Sequence, residues 1–274
     1  MKAVNTMKDC RIIDCHCHIY PDAIVSKAVE AIESFYDYRY KGFDGKTSTM
    51  LDNAADAGVK HHIVFSVATT PRQVHSINSF IADCVKNSGG AFTGLGTLHP
   101  CSDNIQADFD ELLSLGLKGV KLHPDFQKIA IDDERCEEIY RLCSGRVPVL
   151  LHTGDYRYDF SNPSRMKRML EKYPDCIFIG AHFGGWSVWD EAAAELSAYS
   201  NFYVDTSSSL SDISPEKAGE LIKAYGEDRI LFGTDYPLGD SRKEIEMLKK
   251  AVNDDIVLKK ILCENAARLF DIEL

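Results

Sequence analysis

Short apolar runs rich in β-branched and aromatic residues alternate with amphipathic stretches along the whole chain. The runs cover 11–18, 59–68, 91–99, 116–123, 147–152, 176–182, 201–206 and 229–235. Their length and composition predict buried strands. Between them, residues 72–86, 104–115, 133–143, 163–172, 188–199 and 214–225 repeat apolar positions at helical spacing, and 242–252 and 256–270 follow the last run. Ser214-Pro215-Glu216 and Asn162-Pro163 place a capping side chain before a proline in the first helical position, which marks helix starts. Eight strand-helix repeats predict an α/β fold, a parallel sheet closed into a single (β/α)8 TIM barrel. An open doubly wound sheet would place a glycine-rich phosphate loop after its first strand, and Ile19-Tyr20-Pro21-Asp22 stands there instead. No linker or shift of composition interrupts the pattern, so 1–274 is expected to form one domain. The excursion from Ile19 to Lys46 departs from the rhythm and holds the aromatic, charged Phe35-Tyr36-Asp37-Tyr38-Arg39-Tyr40. It is read as a lid-like insertion after strand one, where long βα loops cover catalytic faces, or as a surface helix end packed on the barrel.

Composition narrows the function classes. The chain has 274 residues, 45% apolar and 27% charged, with a formal net charge of −11. A length near ~250 residues suits a barrel, and the negative balance argues against nucleic acid or an anionic membrane as partner. Met1–Lys8 contains no apolar signal core and no run reaches the ~18 residues of a membrane span, so the expected location is cytoplasmic. Nine scattered cysteines are then reduced thiols, mostly small buried hydrophobes. Cys15 and Cys17 alternate with His16 and His18 on opposite strand faces and lack a second pair at zinc-finger spacing.

The chemistry collects at the ends of the predicted strands. The first ends in His16 and His18, whose side chains share one face with Asp14. The fourth ends Lys121-Leu122-His123-Pro124, the fifth His152-Thr153-Gly154, the sixth His182-Phe183-Gly184-Gly185 and the eighth Gly233-Thr234-Asp235-Tyr236-Pro237. With His99 on the third, six of the nine histidines fall at such ends, which in a barrel meet at the mouth where active sites are built. His61, His62 and His75 flank a strand or ride a helix and are assigned to structure.

These ordered motifs resemble the amidohydrolase superfamily, and within it the amidohydrolase-2 branch related to aminocarboxymuconate semialdehyde decarboxylase. The resemblance runs from Asp14-Cys15-His16-Cys17-His18 to Asn265-Ala266-Ala267-Arg268-Leu269-Phe270. It implies a divalent metal, one zinc per chain in expectation, held by His16, His18, His152 and Asp235. Neutral imidazoles with one carboxylate suit zinc and leave a position open for water. Asp235 is the implied proton acceptor, with His182 beside the metal shell orienting water or polarising substrate. In binuclear members a lysine after strand four is carboxylated. Here Lys121 is followed by His123, as in the single-metal branch, which favours an unmodified Lys121 near the site. A rim lysine paired with an acid is the plainer reading. Lys121, His123 and Arg157 are candidate substrate-binding residues, and Arg157, or Arg39 in the predicted lid, could hold a carboxylate by its guanidinium fork.

The leading expectation is a hydrolase that uses zinc-activated water on an ester, lactone or amide of a small carboxylate-bearing molecule. The alternative is non-oxidative decarboxylation of an aromatic or unsaturated acid at the same metal. Metal-dependent deoxyribonucleases on this barrel would want an acid where Lys121 stands, and a non-enzymatic relic would be expected to have lost a ligand. The expected partner is a small-molecule substrate, and the resemblance suggests a homodimer.

Overall fold

The computed structural model describes residues 10–37 and 43–274, so Arg39 lies outside the described residues. The strands are β1 (Ile12–His18), β2 (Val59–Phe65), β3 (Phe92–Gly94), β4 (Gly96–Thr97), β5 (Val120–Leu122), β6 (Val149–Leu151), β7 (Phe178–Gly180), β8 (Phe202–Asp205) and β9 (Ile230–Leu231). Two compact units divide the chain within β2: one holds Thr206–Leu274 with the residues up to His62, the other Ile63–Asp205.

In the second unit β4, β5, β6, β7 and β8 pair in chain order, every pair parallel. The helices Ile105–Ser114, Glu134–Cys143, Pro163–Lys172 and Trp189–Leu196 alternate with them. Every residue of β5, β6 and β7 is buried, as a parallel sheet covered on both faces requires. The register aligns Leu122 with Leu151 and Leu151 with Gly180, so His123 and His152 leave their strands at the same level. The predicted third strand spans β3 and β4: Leu95 N–H donates to Val64 O (3.0 Å), whereas Gly96 N–H donates to Gly119 O (2.9 Å). Lys118 N–H also donates to Gly94 O (2.9 Å), so successive residues here bond to opposite neighbours, as in an inner parallel strand.

In the first unit, β1 runs beside the segment that follows β9. Cys15 N–H donates to Phe232 O (2.8 Å), His18 N–H to Tyr236 O (2.9 Å) and Tyr236 N–H back to His16 O (3.2 Å). Part of the excursion after β1 is regular, forming the helix Val25–Tyr36 with Val25 and Ile32 buried. A further helix, Thr47–Ala57, was not expected; it buries only Met50 and Ala54, and so small an apolar stripe gives little periodic signal. Helices Pro215–Tyr225 and Ser241–Ala251 follow the expected pattern. Ser214 Oγ accepts from Lys217 N–H and Asn162 Oδ1 from Ser164 N–H, the predicted caps. The last predicted helix is interrupted by a π turn at Lys260–Glu264, beside which Asn265 donates to Glu227 O (2.7 Å) and Ile230 O (2.8 Å). Among the described residues, no helix is long and apolar enough to cross a membrane.

Candidate active site

Strand alternation in β1 puts the His16 and His18 rings on one face, with centroids 5.3 Å apart. Asp235 meets both: its Oδ1 lies 3.3 Å from His16 Nε2 and 3.5 Å from His18 Nε2. Two sequence features bring the loop after β9 to this spot. Gly233 allows close approach, since a Cβ there would stand 2.8 Å from His16 Cβ. Thr234 then clamps the turn, its N–H donating to Asp14 Oδ1 (3.0 Å) and its Oγ–H to Asp14 Oδ2 (2.6 Å), while His16 N–H also reaches Asp14 Oδ1 (3.1 Å). Asp14 is buried, and burial pushes its carboxyl up to about 6 against the pull of these donors. His16 Nδ1 lies 3.1 Å from Ser207 Oγ, and Ser208 Oγ–H donates to Asp235 Oδ2.

The second unit carries a matching histidine cluster. Thr153 Oγ–H donates to Ala181 O (2.9 Å) and Trp186 N–H to Thr153 O (2.8 Å), stitching the loop after β6 to that after β7. Gly154 (φ 72°) makes this contact, because a Cβ on it would lie 2.6 Å from Gly185 Cα. His152 Nδ1 and His182 Nε2 come to 3.0 Å as a result. His123 stacks on His152 with centroids 4.0 Å apart, and on its other neighbour Phe126 at 3.7 Å. His123 Nδ1 also accepts from Phe126 N–H (3.3 Å), capping the single turn Pro124–Gln127. An Nδ1 that accepts leaves the proton of the neutral ring on Nε2.

Both residues given catalytic roles from the sequence, Asp235 as proton acceptor and His182 as the residue orienting water or substrate, are held in left-handed backbone, His182 at φ 60° and Asp235 at φ 65°. Such conformations cost energy in residues with a side chain and concentrate at functional sites.

Lys121 is buried, with Nζ 4.9 Å from the centroid of the Phe65 ring, rather than at an exposed rim. Arg157 turns its fork on Asp155, with Nε–H to Oδ1 at 2.9 Å and Nη2–H to Oδ2 at 2.6 Å, and lies over Tyr158 and Trp186. His99 Nδ1 accepts from Cys101 N–H (3.1 Å) and its pKa is lowered by burial; it holds a turn. His75 is exposed on its helix, 2.6 Å from Glu111.

Three residues of these clusters escape the motif reading. Ser207 and Ser208 follow β8, where Thr206-Ser207-Ser208-Ser209 was the available signal, a polar run at a strand end. Asp125 lies in the turn after His123. It is buried, accepts from Ser161 Oγ–H (2.6 Å), and burial raises its carboxyl to about 6.

Two imidazole nitrogens around one carboxylate oxygen, all buried, form a donor set that fits a divalent cation. A buried carboxylate is costly unless its charge is paired, and a cation held among these donors supplies that pairing.

Solved structures of similar fold are numerous. An uncharacterized TIM-barrel protein from Bordetella bronchiseptica is 21% identical, with a TM-score of 0.79 over 95% of this chain and 98% of that one. A 5-carboxyvanillate decarboxylase from Sphingomonas paucimobilis is 16% identical (TM-score 0.71; 96% and 99% covered). A dihydroxybenzoic acid decarboxylase from Polaromonas, with bound manganese and the inhibitor 2-nitroresorcinol, is also 16% identical (TM-score 0.68; 95% and 96%). At such identities the likeness shows the fold, which is that of a TIM barrel. No curated protein matches the chain. The amidohydrolase-2 family model, described as Amidohydrolase, matches residues 13–272, and the chain therefore belongs to this amidohydrolase family.

Proposed function

We propose that this amidohydrolase-superfamily enzyme is a metal-dependent, non-oxidative decarboxylase of a small aromatic or unsaturated carboxylic acid. The order of the two sequence expectations is thereby reversed. What moves decarboxylation ahead is that most of the structural neighbours of full chain length, an uncharacterized protein and one named only by family aside, are decarboxylases, of 5-carboxyvanillate and of dihydroxybenzoates. The observation that carries the chemistry is Asp235, a buried carboxylate with one oxygen between His16 Nε2 and His18 Nε2 and the other receiving Ser208 Oγ–H.

The proposed metal ligands are His16, His18, His152 and Asp235, in a barrel proposed to be one domain. Manganese in neighbouring structures supports a divalent cation, and the nitrogen and carboxylate donors accept zinc or manganese. When bound, such a cation supplies Lewis acidity toward an oxygen-rich substrate. The protein must then move a proton. As the bond to the departing carboxylate breaks, its electron pair stays on carbon, and that carbon takes a proton. Asp235 is proposed to take this proton from a substrate hydroxyl or from water and deliver it to the carbon, with His182 adjusting the substrate oxygens. Lys121 and the Nε2–H of His123 are proposed donors to substrate anions. Arg157 is proposed as a further one, on condition that it leaves Asp155.

Hydrolysis stays as the second reading, because the same carboxylate could accept a proton from water. Incubation with hydroxybenzoates and unsaturated acids on one side, and with esters and lactones on the other, separates the two. Release of carbon dioxide from the first panel, dependent on added zinc or manganese, is the expected result. Acid release from the second panel alone would restore hydrolysis.

A further inference from the structure

Asp125 was not expected from the motifs, and nothing in the proposed chemistry uses it. Its side chain has no exposed surface. Oδ2 receives Ser161 Oγ–H at 2.6 Å and lies 3.7 Å from His152 Nε2, while Oδ1 has no hydrogen-bond partner. A buried carboxylate so sparsely satisfied is costly; Asp155 and Arg157 also act on it electrostatically, and the far edge of His152 faces it at 3.7 Å.

The His152 ring has little freedom besides the position of its proton. One face is covered by His123, with planes within 6°, and the Nδ1 edge is 3.0 Å from His182 Nε2. A neutral imidazole has one donor and one acceptor nitrogen, and an ionised carboxylate only accepts. The carboxylate therefore favours the tautomer with its proton on Nε2, because the N–H dipole then points at the buried negative charge across 3.7 Å, a gap longer than a hydrogen bond. The Nδ1 lone pair is then the one His152 can offer. In the metal-free protein it accepts from His182 Nε2–H.

We infer that Asp125 is a positioning residue that fixes the His152 tautomer and so readies Nδ1 as a metal ligand, an inference that rests on the proposed role of His152. Outer carboxylates of this kind typically change metal affinity 10–100-fold.

The test combines two readouts. In metal-free wild-type protein, nitrogen-15 shifts, assigned by comparison with His152→Gln, should show His152 protonated on Nε2. A proton on Nδ1 would overturn the inference without any variant of Asp125. Competition with a chelator for zinc or manganese should show Asp125→Asn and Asp125→Ala holding the ion about 10–100-fold more weakly than wild type. Ser161→Ala, which leaves the carboxylate in place, should lose less. Wild-type affinity in a folded Asp125→Asn, with an unchanged His152 spectrum, would reduce Asp125 to a partner of Ser161. A wild-type protein that retains neither metal would instead defeat the proposed function, while the tautomer measurement would still decide the role of Asp125.

Discussion

Asp235 combines a left-handed backbone (φ 65°) with a carboxylate set between two imidazoles, which makes its replacement informative. Asparagine tolerates the same φ and keeps one coordinating oxygen, so Asp235→Asn should fold and retain some metal. It loses the charge and the proton affinity. Turnover should fall by about 10²–10⁴-fold, the usual weight of a general acid or base, and mainly in kcat. Steady-state kinetics with metal analysis checks this, and near-normal turnover with metal bound would transfer the proton to His182. Glu244 offers a second test at this scale. It is buried, and burial, with the neighbouring Asp14, Asp212 and Asp235 carboxylates adding to it, raises its carboxyl from 4.5 to about 7 despite the bond from Ser211. The folded state thus holds the proton more tightly than the unfolded one. The resulting stability is complete below pH 4.5 and is lost as the pH rises through about 7, because the unfolded chain then binds fewer protons. Such a shift is worth on the order of 3 kcal/mol at most. Urea unfolding of chelator-treated protein should therefore show stability falling over this range. Glu244→Gln should flatten the upper part, leaving the share of Asp14 and Asp125, which titrate near 6. An unchanged pH slope in the variant would show that Glu244 does not carry this effect.

At the level of elements, the loops after β6 and β7 show what a pair of motifs does physically. His152-Thr153-Gly154 and His182-Phe183-Gly184-Gly185 pack backbone against backbone, and the 3.0 Å between the imidazoles follows from that contact. Gly154→Ala adds a Cβ 2.6 Å from Gly185 Cα at φ 72°. The variant should lose about 1–3 kcal/mol of stability from backbone strain alone and separate His152 from His182. Thermal unfolding and the histidine nitrogen spectrum measure the two effects, and a variant unchanged in both would show that the loops adjust freely. The histidines were legible in the sequence because each stands at the end of an apolar run, where alternation and polarity coincide. Ser207, Ser208 and Asp125 were not, since serine and aspartate after a strand are equally the residues of ordinary turns. The helix Thr47–Ala57 escaped for the opposite reason: its packing depends on Met50 and Ala54, too few apolar positions to set a period.

At the scale of the whole molecule the open quantity is how many metal ions one chain carries. By the sequence resemblance, the binuclear members of the superfamily bridge their metals with a carboxylated lysine at the position where Lys121 stands in β5. Its Nζ stands 4.9 Å from the Phe65 ring centroid in a fully buried position. The face of an aromatic ring attracts an ammonium and repels an anion, so this setting favours lysine over its negatively charged carbamate. The formal charge of −11 for the chain acts in the same direction, since a further anion gains nothing from the summed field. With Lys121 unmodified, one of the bridging ligands of a second ion is missing. Elemental analysis of protein loaded with zinc or manganese should therefore return one metal per chain, and intact-mass measurement should show no added carbon dioxide on Lys121. His16→Ala should reduce the metal content toward zero while leaving cooperative unfolding in place, because a catalytic ion at a strand end is not part of the packed interior. Two metals per chain together with a carboxylated Lys121 would overturn the single-metal assignment, and the contact with Phe65 would then have to break to admit the carbamate.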